Sequence, residues 1–235
     1  MRGRPLNEGG QRAAHFDPSV AARYAPLILF DEREPFLPIR VGVTILREPG
    51  ASPSFRRHLE PPPGGLVVEY AIYWDWDIQH LYDLEHLWVF ADGSGRVTDA
   101  EGSFHGRWLK ALLPDRSNIE GDGVRVYSQP GKHAFSPLPI VFRLLPGYED
   151  ATRSGAGADG ALVGGPLEGR VEKEAWLDKA ARRKLAKDAF EPSLSWRPWT
   201  MPSDIMLPWE ELDRELPSLF RAQVELLKTG GMRCP

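Results

Sequence analysis

The segment LVVEYAIYWDWDIQHLYDLEHLWVF, residues 66–90, decides the fold of this 235-residue chain. Its first part, 66–74, is rich in β-branched and aromatic residues and carries no helix signal, which predicts a strand. Residues 84–90 predict a second strand, and Asp92-Gly93-Ser94-Gly95 is typical of a turn that leads into a third strand over 96–108. The centre of the chain is therefore predicted to be a β-hairpin.

Shorter strands extend the pattern on both sides of this hairpin. We expect strands at 25–30 and 41–46 before it and at 124–128 and 140–145 after it, with prolines and glycines between them. Many short strands with such turns favour an antiparallel sandwich or barrel over a doubly wound parallel sheet. The predicted fold is mainly β, an antiparallel β-sandwich.

The C-terminal part of the chain has a helical pattern instead. Apolar residues recur at helical spacing over 171–189, and a last helix is predicted over 208–228 with Gly230 and Gly231 as its stop. We expect these helices to pack against the sandwich.

These patterns divide one domain into four parts. Residues 1–12 are polar and glycine-rich and are predicted to be disordered. The β-sandwich core with a metal site is assigned to 13–148, and a glycine-rich mobile loop to 149–169. The helical part of the same domain is assigned to 170–235.

Composition and charge narrow the classes of partner. A formal net charge of -4 gives no general basic surface, so nucleic acid is not expected and a small polar or carbohydrate ligand fits better. No apolar run approaches the roughly 20 residues of a membrane-spanning helix, and the N-terminal residues lack the apolar core of a signal peptide. We therefore expect a cytoplasmic location; the oligomeric state is left open. The single cysteine, Cys234, excludes an intramolecular disulfide.

Histidines and carboxylates crowd around the central hairpin, and strand geometry decides which of them can act together. Successive side chains of a strand point to opposite faces, so Asp83 and Glu85 share one face while His86 lies on the other, where a packing role is expected. If the two hairpin strands place Glu85 opposite Glu101, His105 falls beside Asp83. A slip of one residue would reverse this placement.

Carboxylates that share one face would repel each other unless a cation lay between them. We predict a divalent metal held by Asp83 and Glu85, with His80 just before the strand and Asp75 or Asp77 in the preceding bend completing the ligands. Such an oxygen-rich set favours Mg, Mn or Ca, with Zn or Fe as further options. The alternative is a polar strand surface with scattered charges and no metal.

Two classes of function are compatible with such a site. In a metal-dependent hydrolase or lyase, His105 or His133 would be catalytic by moving a proton, and Lys132 and Trp76 would contact the substrate. In a non-catalytic module, the metal would help to bind a carbohydrate or glycolipid head group. The tryptophans of the segment fit a core role better than a stacking role.

A short motif in this region resembles a known family. His80-Leu81-Tyr82-Asp83-Leu84-Glu85-His86 is similar to the Gly-His-Arg-His-Asp-Trp-Glu-His region of necrosis-inducing plant toxins. Three wider segments, 73–88, 101–106 and 131–134, resemble sequences of the vacuolar protein sorting 62 family.

These resemblances imply a β-sandwich and metal roles for His80, Asp83 and Glu85. In the toxins an upstream aspartate also contributes, and Asp75 and Asp77 are its candidates here. Two positions of the toxin motif differ, since Tyr82 replaces its second histidine and Leu84 its tryptophan, so the action of the toxins on membrane glycolipids is not carried over to this chain.

Overall fold

Strands dominate residues 16–229, the part of the chain that the computed structural model describes. The predicted disorder of residues 1–12 lies outside this part. The strands are β1 (Leu27–Asp31), β2 (Arg40–Leu46), β3 (Gly50–Ala51), β4 (His58–Leu59), β5 (Leu66–Trp76), β6 (Leu81–Ala91), β7 (Val97–Phe104), β8 (Arg107–Lys110), β9 (Ile119–Glu120), β10 (Gly123–Ser128), β11 (Phe135–Ser136), β12 (Trp196–Thr200) and β13 (Met206–Pro208). The helices are α1 (Pro18–Arg23), α2 (Ile140–Arg143), α3 (Tyr148–Ala151), α4 (Ala175–Leu185) and α5 (Trp209–Lys228), with short 3-10 turns at Gly165–Leu167 and Ser203–Ile205.

The strands form two main sheets, and both sheets are mixed. The larger sheet has the order β13-β2-β5-β6-β7-β8, and the smaller has the order β11-β10-β1-β12 with β9 beside β10. β1 pairs with β10 in parallel, as β13 does with β2. The mainly β prediction is confirmed, but the purely antiparallel arrangement is wrong. Parallel neighbours come from distant parts of the chain, so no local turn signal announces them.

Both faces of the larger sheet are covered. On one face, Tyr70 and Trp74 of β5 share a hydrophobic cluster with Ile28 and Phe30 of the smaller sheet. On the other face, Tyr73 packs with side chains of α4 and α5, including Leu177, Leu212, Leu216 and Phe220. The expected packing of the C-terminal helices on the β-structure is thus confirmed.

Helix α4 is shorter than the predicted 171–189, and α5 agrees closely with the predicted 208–228. The strand predicted at 140–145 is wrong, because Ile140–Arg143 is the short helix α2. Pro139 precedes it directly, and a proline cannot donate a ladder hydrogen bond.

The central hairpin forms with a different register from the predicted one. Glu101 lies opposite Trp88 instead of Glu85, a shift of three residues, and the register slips at Phe90/Ala91. Because the shift is odd, Glu101 moves to the other face of the sheet. The strand predicted over 96–108 is also interrupted at His105, whose φ of 49° places it in a turn between β7 and β8.

The glycine-rich segment runs along the end of the larger sheet. The amide of Gly157 donates to the carbonyl of Ile78 at 2.8 Å, and the amide of Leu81 donates to the carbonyl of Gly160 at 2.9 Å. Gly160 also forms an isolated parallel bridge with His80. The segment therefore contacts the bend between β5 and β6; the mobility assigned to 149–169 stays a prediction.

The packing of α5 gives a direct test of the helical layer. Leu216 is fully buried in that layer, whereas Leu226 of the same helix is 45% exposed. Leu216→Ala should lower the free energy of unfolding by about 2–5 kcal/mol, since it removes buried methyl groups and leaves a cavity. Urea denaturation measures the loss, with Leu226→Ala as the matched control. Equal effects of the two substitutions would contradict this packing.

Candidate functional site

Three acidic and basic side chains converge where β5 turns into β6. Asp77, Asp83 and His133 each offer a ligand atom, and these atoms lie within 4.8 Å of one another. Asp77 follows the end of β5, and Asp83 lies on β6 opposite Trp74 of β5. His133 comes from the turn just before β11. Two strands of one sheet and a loop of the other therefore build the cluster.

A tight turn aims His133 into the cluster. Its backbone has a φ of 58°, and its amide donates to the carbonyl of Gln129 at 2.9 Å. Gly131 has a φ of 69°, and a Cβ there would lie 2.7 Å from the side chain of Ile78, so only glycine fits. The imidazole stacks on Trp74, with 4.4 Å between ring centroids and 4° between planes. The ring is fully buried and fixed in orientation.

His133 lies between two carboxylates. Its Nδ1 is 3.1 Å from Oδ2 of Asp83, and its Nε2 is 3.6 Å from Oε1 of Glu34. Within residues 16–229, this Nε2 has no hydrogen-bond partner. Desolvation disfavours the imidazolium, but the two carboxylates outweigh it and raise the pKa of His133 to about 10. Burial likewise opposes ionisation of Asp83, yet its hydrogen bond with His133 lowers the pKa of Asp83 below the ordinary value.

Glu85 shares the face of Asp83, as the alternation of side chains predicts. Its neighbour across β5 is Ile72, a member of the same cluster as Trp74. The hydroxyl of Ser103 donates to its carboxylate. Burial and then the negative charge of Asp83 raise the pKa of Glu85 to about 8. The repulsion expected between the Asp83 and Glu85 carboxylates therefore favours a proton on Glu85.

Asp77 is balanced by Lys132. The Nζ of Lys132 lies 2.8 Å from the Asp77 carboxylate, which also accepts the amide of Gln79 at 2.6 Å. His80 Nε2 is 3.8 Å from Asp77 Oδ1, and His80 Nδ1 is 2.8 Å from the carbonyl of Tyr82. A carbonyl accepts only from a protonated nitrogen, so the Nδ1 carries the hydrogen, and in the neutral ring the Nε2 keeps its lone pair.

The donor set fits a divalent cation. Two carboxylates and one imidazole come within reach of a common point, since their ligand atoms lie within 4.8 Å of one another. Mostly oxygen donors with one or two nitrogens suit Mg, Mn or Ca. The protons and the ammonium group of Lys132 already neutralise part of the negative charge, so a cation would have to compete with them.

Six of the predicted site residues lie outside this group of three. His80, Glu85 and Lys132 lie beside it, whereas Asp75, Trp76 and His105 contact other partners. Asp75 points to the opposite face, where its Oδ2 accepts from Gln223 of α5 at 2.8 Å. Trp76 donates to the same Gln223 side chain, and Lys184 lies over its ring. His105 Nε2 contacts Oε1 of Gln129 at 2.8 Å, and the register shift removes the basis for placing it beside Asp83.

The remaining aromatic and acidic side chains have structural partners. Trp74, Trp76 and Trp88 are buried, which confirms the core interpretation. His86 is buried as well and stacks on Trp88, as the packing role requires. Glu101 pairs with Arg57 and Lys110 on the other side of the sheet.

Sequence reasoning missed Glu34 and Ser103. Glu34 is 4% exposed and accepts the amide of Gly131 at 2.6 Å, almost one hundred positions further along the chain. No periodic signal links residues so far apart. Ser103 carries no charge that would mark it in the sequence, and its hydroxyl reaches the Glu85 carboxylate from β7.

No family model and no curated protein matches the chain, so the resemblance to the vacuolar protein sorting 62 family finds no support there. Solved structures that match include the necrosis and ethylene inducing protein 2 from the causal agent of cocoa's witches broom disease, at 16% identity and a TM-score of 0.36, covering 54% of this chain and 70% of that one. NLPPya in complex with mannosamine matches at 14% identity and a TM-score of 0.38, covering 75% of this chain and 94% of that one.

NLPPya in complex with glucosamine matches at the same identity and TM-score, covering 74% of this chain and 91% of that one. The cocoa-pathogen neighbour is named as a necrosis and ethylene inducing protein, the kind of protein that the His80 motif resembles. Each of these TM-scores is below 0.5, so the likeness carries no argument about function. Within residues 16–229, no helix has the length and apolar character to cross a membrane.

The raised pKa values predict how stability depends on pH when metal is absent. The folded chain holds protons on His133 and Glu85 that the unfolded chain releases, so the free energy of unfolding should fall as the pH rises. For His133 the contribution is complete below about pH 6.5 and is lost as the pH approaches about 10. For Glu85 the loss runs between its ordinary pKa and about 8.

Urea denaturation in chelator from about pH 7 to about pH 9 measures this slope. His133→Gln and Glu85→Gln should each flatten it, whereas the exposed His58→Gln should leave it unchanged. A slope that survives both site substitutions would show that other groups carry it.

Proposed function

We propose that this chain is a divalent-cation-binding β-sandwich protein in which the bound cation helps to hold a small polar ligand of carbohydrate type. The observation that carries the proposal is the convergence of ligand atoms from Asp77, Asp83 and a fully buried His133 within 4.8 Å of one another. Buried carboxylates are costly unless their charge is balanced, and a cation held by them and by the neutral imidazole would supply that balance.

Neighbouring side chains can complete the coordination. Glu85 lies on the same face as Asp83, and Glu34 is on the far side of the imidazole. His80 is held by its Nδ1 hydrogen bond to a backbone carbonyl, an arrangement that orients the other nitrogen of metal-binding histidines. Its Nε2 is therefore the natural additional nitrogen donor, 3.8 Å from Asp77.

Part of the site reaches the surface. Asp77 and His133 are buried, whereas Asp83, Glu85 and Lys132 are partly exposed. An oxygen of a ligand can thus approach from the exposed side, where the ammonium group of Lys132 can donate a hydrogen bond to a hydroxyl. The surrounding carboxylates disfavour an anionic ligand, so neutral or amino sugars fit the charge better than phosphates.

A metal-dependent hydrolase or lyase is the second candidate, because Glu85 holds its proton near neutral pH. A carboxyl with a pKa of about 8 beside a metal site can act as a general acid. The histidines predicted to be catalytic are less suited to this role. His133 is buried and belongs to the donor set, and His105 is engaged by Gln129. Glu85 is therefore a better candidate for proton transfer than either histidine.

Isothermal titration with Mn, Mg and Ca tests the cation site. We expect one cation per chain, with affinity that rises with pH because His133 must lose its proton first. Asp83→Asn should weaken binding by about tenfold or more, since it removes a charged ligand. The exposed Asp204→Asn is the matched control. Absence of binding by the unsubstituted chain at high pH would refute the proposal.

Lys132→Met separates the two parts of the proposal, because it should change cation and sugar binding in opposite directions. Loss of the ammonium group frees the Asp77 carboxylate, so cation affinity should rise several-fold. Affinity for a sugar should fall, since the donor to its hydroxyl is gone. Chemical-shift titration with glucosamine and mannosamine, with and without the cation, measures the second effect.

The same samples test the catalytic candidate. Glycosides carrying these sugars should stay intact if the site only binds, and their hydrolysis, lost in Glu85→Gln, would establish the enzyme instead. Sugar affinity that ignores both the cation and Lys132 would exclude this site as the binding site.

A further inference from the structure

A polar cavity lies at the end of the central hairpin that is opposite to the candidate cation site. It is bounded by the end of α1, by the turn between β6 and β7, and by the loops on both sides of β9. Its volume is about 400 Å³, within the range of small-molecule sites. From Asp83 to the turn at Ser94, the chain advances along β6 by about 30 Å at the usual strand rise. The cavity is thus separate from the candidate cation site.

Three arginines line this cavity, and one carboxylate accompanies them. Arg23, Arg96 and Arg116 contribute three positive charges, and Asp122 contributes one negative charge. The local balance is therefore +2, in a chain whose overall formal charge is -4. A concave surface with such an excess concentrates anions.

Two of the guanidinium groups are held in place. Arg23 Nε lies 3.0 Å from Oδ2 of Asp122, and Arg116 donates from Nη2 to the carbonyl of Val97 at 2.6 Å. Arg116 has a φ of 60°, an uncommon backbone conformation for a side chain of its size. A Cβ at Gly95 would lie 3.1 Å from Nη2 of Arg23, so the glycine leaves room for that guanidinium.

Most donors of the three groups remain available. Within residues 16–229, no hydrogen bond or ion pair uses the guanidinium of Arg96, and Arg23 and Arg116 each use one nitrogen in those described above. Arginine presents five N–H donors in a planar fork that matches the oxygens of a phosphate group. Held guanidinium groups with unused donors lose less side-chain entropy when they bind an anion.

We propose that this cavity binds a small phosphate-bearing molecule through Arg23, Arg96 and Arg116. Arg96 supplies the freest guanidinium, and Arg23 and Arg116 fix the position of the phosphate oxygens. Ile119 adds an apolar wall for the organic part of such a ligand. The site is independent of the proposed cation site, which lies near the other end of β6.

Inorganic pyrophosphate in chelator is the probe, titrated calorimetrically into the full chain so that the candidate cation site takes no part. We expect saturable binding that weakens as NaCl is added, because the contacts are ionic. Arg96→Gln should weaken binding by about tenfold, and the double substitution with Arg116→Gln should abolish it. Arg56→Gln, an exposed arginine outside the cavity, is the matched control and should bind like the unsubstituted chain.

Thermal unfolding of each variant without ligand checks that the fold is intact. Arg96→Gln is the decisive variant, since within the described residues the Arg96 guanidinium makes no hydrogen bond or ion pair that the fold would lose. Absence of pyrophosphate binding by the unsubstituted chain would overturn the proposal. Equal binding by Arg96→Gln and Arg56→Gln would overturn it as well.

Discussion

The pairing of β5 with β6 is the constraint on which the rest of the structure depends. Each strand has eleven residues, and the pair is covered by the smaller sheet on one face and by α4 and α5 on the other. Because side chains alternate, the register of this pair assigns every residue to one layer or the other. Asp83 and Glu85 fall on the side of Trp74, while Asp75 falls toward α5. The chemistry of the candidate site follows from that assignment.

Local patterns in the sequence predicted those features of the fold that depend only on residues close together in the chain. The strand character of 66–74, the shared face of Asp83 and Glu85, and the last helix all follow from periodicity within a few turns or residues. The register between β6 and β7 did not follow from the sequence. Two residues of the three-residue shift arise at the turn, which pairs Ala91 with Val97, and one arises at the irregularity at Phe90/Ala91. That last, odd step moves Glu101 to the other face and removes the basis for placing His105 beside Asp83.

Long-range contacts account for the other differences. Glu34 reaches the imidazole of His133 across almost one hundred residues, and β1 finds β10 over a similar separation. Sequence spacing carries no information on such pairs. The cluster itself balances its charge through retained protons and one lysine, so its carboxylates can be buried together. A bound cation would take the place of the positive charge that these protons and Lys132 already supply.

Gly157 and Gly160 connect the candidate cation site to the helical layer. Both have positive φ, and a Cβ at Gly157 would lie 2.8 Å from the carbonyl oxygen of Arg182 in α4, while one at Gly160 would lie 2.7 Å from Asp178 of the same helix. On their other side they bond to the backbone at Ile78, Gln79 and Leu81, which flanks Asp77. A single layer of bare backbone therefore lies between α4 and the bend that contains Asp77, so a side chain at either glycine would force α4 away from that bend.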